Sequence, residues 1–327
     1  MISYIFKRFV NYFILSAIAT CLAYVVASLA LDPAAKYYGR NPQPSEETVT
    51  KILDTLGVNP DVPVLQRLWD WIVDLVVHGS LGLTVGGRSV VEEIATRSGV
   101  SLRLLLIGSI LGAVVGVALG VWGAVRQYSV SDQVVTYGSY LIFAMPTFVI
   151  GVLLMIGATM LNDSVGRQLI NFTGEYSAGL DGPWYVLAGD RAVHLLLPTI
   201  ALVLIGGALY SRYQRSAMLD VLSADYIRTA RSKGRSRNSA LVRHGVRVAL
   251  IPMSTFFAYS FGTLISGSIM LEIVFSFHGM GEFTLQSITQ SDINGVAGST
   301  LFLAVLVLFS STLSEILYAA LDPRVRS

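Results

Sequence analysis

The chain has 327 residues, 53% of them hydrophobic and 13% charged, with a formal net charge of +2. Soluble domains carry about a quarter charged residues; this balance, with a mean hydropathy of +0.62, excludes an ordinary water-soluble domain and indicates a membrane protein. The single cysteine, Cys21, excludes an intrachain disulfide framework.

A helical span needs roughly 20 consecutive, mainly apolar residues. Stretches of that kind lie near 9–31, 100–124, 134–160, 194–211, 250–274 and 296–320. They predict an all-α membrane protein with six transmembrane helices. The first stretch follows Lys7 and Arg8 and ends near Ser28-Leu29-Ala30, which resembles a leader cleavage site. It is longer than the roughly 7–15 apolar residues of a signal-peptide core, so 1–31 is expected to be the N-terminus and a retained first span.

Residues 32–99 form a long segment outside the spans. Ser45 followed by Glu46 and Glu47 is an N-cap with acids in the first turn, where they favour the helix dipole. From Val64 to Val77, the residues Leu65, Leu68, Trp69, Ile72 and Leu75 recur at helical spacing. Short helices lying over the membrane surface are expected there, not a separate globular domain. Residues 100–327 are then the core, holding spans two to six and a basic loop, 212–249.

In the second span Gly108, Gly112, Gly116 and Gly120 share one helix face, which lets another backbone approach closely. The third carries Tyr137, Tyr140 and a kink at Met145-Pro146-Thr147. In the fifth, Phe256, Tyr259, Thr263, Ser266 and Met270 form one semi-polar stripe that serves either packing or the lining of a pathway. Glu272 and Glu315 fall near span ends, where structural pairing is the expected role.

Alternating sides from an inner N-terminus gives inner segments with 14 Lys+Arg against four acids, and outer segments with nine Lys+Arg against fifteen acids. Basic residues concentrate on the cytosolic side of short loops, so both termini are expected in the cytosol, 32–99 outside and 212–249 inside.

Familiar catalytic patterns are missing. No Gly-Lys dipeptide occurs, so the phosphate-binding G-x-x-x-x-G-K-[ST] loop is absent. His78, His194, His244 and His278 are not followed by Glu, which excludes H-E-x-x-H, and no G-x-S-x-G elbow is found. The chain is therefore expected to be no enzyme and to bind no metal or cofactor; transport or scaffolding is the leading class.

Within the basic loop, Leu219, Leu222, Tyr226, Ile227 and Ala230 build one apolar stripe, while Arg228, Arg231 and Lys233 point elsewhere, and Asp225 is a further candidate contact residue. Gly234 ends this helix, with cations in its last turn. A second amphipathic piece runs from Ser236 or Ser239 through Leu241, Val242 and Val248 toward Pro252. A solvated positive loop would explain the charges but not the stripe, which must bury itself against the chain's own spans, the lipid surface or a partner's groove.

The stretch "DYIRTARSKGRSRNSALVRHGVRVALIP" resembles the cytosolic EAA-type loop of bacterial ATP-binding-cassette importer permeases, in the form typical of the dipeptide/oligopeptide permease family. Supporting motifs span nearly the whole chain: "DPA" at 32–34, "PVLQRLWDWI" before "GSLGLTVGGRSVVEEI", "PTIAL" at 198–202, "EIVFSFHGMGE" at 272–282 and the terminal "ALDPRVRS". Departures at Leu31, Ser80 and His278-Gly279 fall on the outer face. The resemblance implies a multi-pass subunit of the bacterial plasma (inner) membrane, with the helix around Ala224 to Gly234 docking on a cytosolic ATPase. It further implies a second homologous permease, two ATPase subunits carrying ATP and Mg, an extracytoplasmic peptide-binding protein, a lipid bilayer and no nucleic acid. A same-family importer of nickel or glutathione and, more remotely, a secondary transporter stay open as alternatives.

Overall fold

A computed structural model describes residues 2–38, 41, 42, 44–241 and 245–321, without the side chains at 2–5, 231, 237, 238, 255, 258–267, 319 and 321. The regular elements described are helices, with one isolated β-bridge between Leu83 and Ser89. In order they are α1 (Ile2–Ala30), α2 (Ala35–Tyr38), α3 (Glu46–Leu56), α4 (Val64–Val73, continued by a π turn Asp74–His78), α5 (Val90–Val125), α6 (Val130–Ala144) and α7 (Thr147–Val165). Then follow α8 (Trp184–Leu222), α9 (Asp225–Ser232), α10 (Arg237–Ala240), α11 (Val246–Ala249), α12 (Ile251–Val274), α13 (Met280–Thr289) and α14 (Ile293–Leu321).

Among the described residues five helical stretches are long and apolar enough to cross a membrane: Phe6–Tyr38, Val90–Val125, Thr147–Val165, Trp184–Leu222 and Ile293–Tyr318. The stretch expected at 134–160 is divided. Pro146 disfavours helical backbone at the residue before it, and Met145 is extended at φ −87°, ψ 135°, so α6 stops at Ala144 and α7 restarts at Thr147. Two spans are also longer than their apolar runs, because polar turns before 100 in α5 and at both ends of α8 stay helical. α5 begins ten residues before 100, and α8 covers 184–222 where 194–211 is expected, carrying Pro198 inside it.

The chain divides into two compact units, one of Phe6–Ser101 with His278–Phe309 and one of Leu102–Phe277 with the chain ends. In the first, the 32–99 segment shares a core with α1, α13 and α14. Tyr24, Val49, Leu53, Trp71, Phe283, Ile293 and Ala297 are all buried there. Ser45 caps α3 by accepting from the Thr48 N–H at 3.3 Å, and Gly57, at φ +69°, lets the Val58 N–H bond back to the Leu53 carbonyl at 3.0 Å. In α4 the buried face is Arg67 and Trp71 with Leu68, Ile72 and Leu75 beside them, while Leu65 and Trp69 are exposed. Asp292 heads α14, accepting from the Gly295 and Val85 N–H groups at 2.8 and 2.9 Å, and burial pushes its carboxyl above the usual range.

In the second unit α6, α7 and α12 pack on α8, and the Ser314 hydroxyl of α14 donates to the Ser254 carbonyl of α12. The glycine face of α5 lies against α8. A Cβ at Gly116 would sit 2.5 Å from Tyr210 Cβ and 2.8 Å from the Gly207 carbonyl oxygen; one at Gly120 would sit 2.6 Å from the Ser211 carbonyl oxygen. One at Gly112 would sit 3.5 Å from the Gly206 Cα, and one at Gly108 would meet the Leu202 side chain. No larger residue fits at Gly116 or Gly120 without separating the helices.

Gly116→Leu is therefore expected to cost at least the roughly 1–3 kcal/mol of an overpacked core and to lower the melting temperature of the purified chain. Gly157→Leu, where a Cβ meets nothing within 4 Å, should leave it nearly unchanged. Thermal scans of both variants in one detergent check this contrast.

Candidate functional site

α8 has 39 residues, a length of about 58 Å at 1.5 Å per residue, well beyond a hydrocarbon core of about 30 Å. Its last turns carry Arg212 and Arg215, so the helix continues unbroken past its apolar stretch. After Leu222 the chain turns through Ser223, the Ala224 N–H bonds to the Val221 carbonyl at 3.1 Å, and α9 begins at Asp225.

The α9 stripe is divided between two roles. Ile227 is 3% exposed and packs with Met218 and Val221 of α8, Ala124 at the end of α5, Leu241 and Ala249. Leu222, Leu219 and Val246 close over this cluster. Tyr226, by contrast, is 41% exposed, with Asp225, Arg228, Thr229 and Lys233 exposed beside it and Ala230 half-buried. The spacing that groups Tyr226 with Ile227 therefore joins residues about 100° apart around the helix: the chain's own helices cover Ile227, and Tyr226 is left on the open flank. Partial burial pushes the Tyr226 phenol up, so it remains a neutral hydrogen-bonding group. The Arg228–Asp225 pair, 3.8 Å apart and fully solvated, contributes little.

α9 ends in a Schellman arrangement. Gly234 takes φ +84°, the Arg235 N–H reaches the Ala230 carbonyl at 3.3 Å, and the Lys233 N–H reaches Thr229 at 3.2 Å. The second amphipathic piece is two short helices, α10 and α11, on either side of 242–244; Val242 and His244, like the Arg231 side chain, lie outside the described residues.

Sequence patterning overlooked the charged pair beneath this platform. Asp132, 2% exposed, sits in the first turn of α6 and takes Arg215 of α8 in a two-pronged bond, Nε to Oδ1 and Nη2 to Oδ2, both 2.7 Å. Its Oδ2 also accepts the Tyr128 N–H at 2.9 Å, while Ser129 caps α6 by accepting from the Asp132 N–H at 3.3 Å. The Arg215 guanidinium holds the Asp132 carboxyl below the usual carboxylate range. A depressed folded pKa contributes stability that is present above the unfolded value near 4 and is lost as pH falls through the lower, folded value. The pair thus stays intact across neutral pH. Only the 83-residue separation hides it in the sequence.

Of the residues considered for pathway lining, four have described side chains. Tyr137, Tyr140 and Met270 are exposed at 69, 51 and 43%. Phe256 is half-buried against α8, its ring centroid 4.1 Å from that of Tyr213 and 5.4 Å from that of Tyr210. Tyr259, Thr263 and Ser266 have side chains outside the described residues. Arg212 lies 4.7 Å above the Tyr140 ring at the mouth of a cavity of about 330 Å3 lined by α5, α6 and α8, with Ser139, Ser211 and Tyr213 on its wall. Glu272 is buried at 1% and Glu315 half-buried.

Ile227→Asp would place a charge inside the α8–α9 cluster. It is expected to release α9 and make 222–241 a protease-sensitive segment, whereas Ile227→Val should cost only about 0.5–1.5 kcal/mol. Limited proteolysis of membranes carrying each variant distinguishes them.

Comparison with known proteins agrees with this architecture. Residues 116–327 match the family model described as "Binding-protein-dependent transport system inner membrane component". The chain is 46% identical over 326 residues to the oligopeptide transport system permease protein OppB of Mycobacterium tuberculosis (strain ATCC 25618 / H37Rv), covering 100% of this chain and 99% of that one. It is 33% identical to the oligopeptide transport system permease protein AppB of Bacillus subtilis (strain 168), covering 99% of each, and 32% identical to the dipeptide transport system permease protein DppB of Escherichia coli (strain K12), covering 86% of each. With helices long enough to cross a membrane, a basic helix–glycine–helix loop after α8 and end-to-end similarity to permeases, the chain belongs to the family of binding-protein-dependent transport system inner-membrane components.

Proposed function

We propose that this chain is a membrane-embedded permease subunit of an ATP-binding-cassette importer that moves oligopeptides or dipeptides into the cytoplasm. The observation that carries the mechanism is the two-faced α9. It is anchored by Ile227 to the end of a continuous α8, and it offers Tyr226, Arg228, Thr229 and Lys233 outward. A helix fixed on one side and open on the other suits docking into a groove of a partner.

In this reading α12, fifth in chain order, brings the spans to six, both termini are cytosolic, and the 212–249 loop meets an ATPase subunit. ATP and its Mg belong to two such ATPases. A second homologous permease completes the pathway, and the outer 32–99 segment faces a peptide-binding protein. Residues 100–327 are the permease core. Closure of the ATPases draws the coupling helices together, and the packed spans move between outward- and inward-open arrangements as rigid levers. Contact with the ATPase rests on Tyr226, Arg228, Ala230 and Lys233, with Asp225 and Arg231 on the same short helix; Leu222 and Ile227 hold that helix to α8, and Gly234 sets its end.

In the reconstituted complex, Tyr226→Asp is expected to keep this chain in the membrane but lower peptide uptake per ATP hydrolysed by about tenfold, within the usual range of coupling between sites. Unchanged uptake would overturn the docking assignment. The substrate class is tested on the wild-type complex with its binding protein: short peptides should stimulate ATP hydrolysis. Stimulation by glutathione or nickel alone would contradict a peptide importer.

A further inference from the structure

The Asp132–Arg215 pair lies where force from α9 would have to enter the spans. Ile227 of α9 shares one buried cluster with Met218 and Val221, one and two turns beyond Arg215 on the same helix, and with Ala124 at the end of α5. α5 ends at Val125, and the chain turns within four residues into α6, whose first turn contains Asp132. Asp132 therefore joins three elements through one carboxylate: α8 through Arg215, the α5–α6 turn through the Tyr128 N–H, and α6 on which it is carried. Gly123 of α5 completes the junction, since a Cβ there would lie 2.9 Å from Asp132 Oδ1.

Two properties separate this junction from ordinary packing. The apolar Ile227 cluster is non-directional and tolerates sliding, whereas a bidentate guanidinium–carboxylate pair fixes both distance and angle. The Asp132 side chain is also 3% exposed, so water does not readily replace its partner. A load applied to α9 can deform the cluster but cannot move α8 without also moving the head of α6.

We propose that Asp132 and Arg215 are positioning residues for coupling: they lock the heads of α6 and the α5–α6 turn to the end of α8, so that displacement of α9 moves these helices together. This rests on the reading of α9 as the ATPase-docking helix. Without the lock α9 would still bind its partner, and its movement would be absorbed at the α5–α6 turn.

The test uses the complete reconstituted importer carrying Asp132→Asn, Asp132→Glu or Tyr226→Asp, with co-purification of the ATPase subunits and peptide imported per ATP hydrolysed as readouts. Asp132→Asn is expected to retain the ATPases and lower the transport ratio by about tenfold, within the range of known coupling free energies. Asp132→Glu, which restores the charge, should recover most of that loss. An Asn complex that assembles and imports normally per ATP overturns the proposal, as does loss of assembly in both the Asn and Glu variants, which would make the pair a folding element alone. If Tyr226→Asp uncouples while Asp132→Asn does not, only this inference fails. If neither uncouples, the docking assignment for α9 fails with it.

Discussion

The close approach of α5 to α8 is the constraint on which the rest of the second unit depends. Without a hydrophobic drive between helices in lipid, association relies on packing and on hydrogen bonds, and Gly108, Gly112, Gly116 and Gly120 bring the two backbones near enough for both. At Gly112 the two chains meet glycine to glycine, against Gly206. Near one end of this seam Gly120 lies against Ser211 and Gln214, and Gly123 admits the Asp132 carboxylate beside Arg215. The same glycine face that packs the spans therefore positions a buried two-pronged ion pair.

From that junction the loop geometry follows. α8 stays helical as far as Leu222 because its buried residues, from Leu202 through Tyr210 to Met218 and Val221, keep one face covered beyond the apolar run. α9 is only eight residues long, too short to be stable alone in water. Burial of Ile227, worth roughly 1.5–3 kcal/mol for a side chain of its kind, and the Gly234 turn give it a defined place. The proposed docking role needs such a helix held firmly to its own spans and still accessible. The division between Ile227 and Tyr226 meets both requirements.

Much of this was legible from residue patterns. Ser45 before two glutamates marks the start of α3, Gly234 marks the end of α9, and Pro146 marks a break whose extent, a full interruption between α6 and α7, depends on the extended Met145. Span lengths were not legible, since polar turns such as 90–99 and 212–222 stay helical through tertiary packing that hydropathy does not register. Helical spacing placed Tyr226, Ile227 and Ala230 on one stripe, but a stripe has a centre and a rim, and only the neighbouring α5 and α8 decide which is which. Likewise Leu65 and Trp69 share the spacing of Leu68 and Ile72 in α4, yet the core closes over Trp71 and Arg67 instead. The Asp132–Arg215 pair was invisible because long-range ion pairing leaves no local periodicity.

If α9 turns Ile227 inward and presents Tyr226 to an ATPase partner, the two positions differ in what they can reach. This difference is tested most directly by cross-linking in the assembled importer, in a Cys21→Ser background, with single cysteines at Tyr226→Cys or Ile227→Cys and a short bifunctional thiol reagent. A cross-link is expected from position 226 to the ATPase subunit, with a yield that changes with bound nucleotide, and little or none from position 227. Equal or stronger cross-linking from 227, or none from 226 in a complex that retains its ATPases, would contradict this orientation of α9.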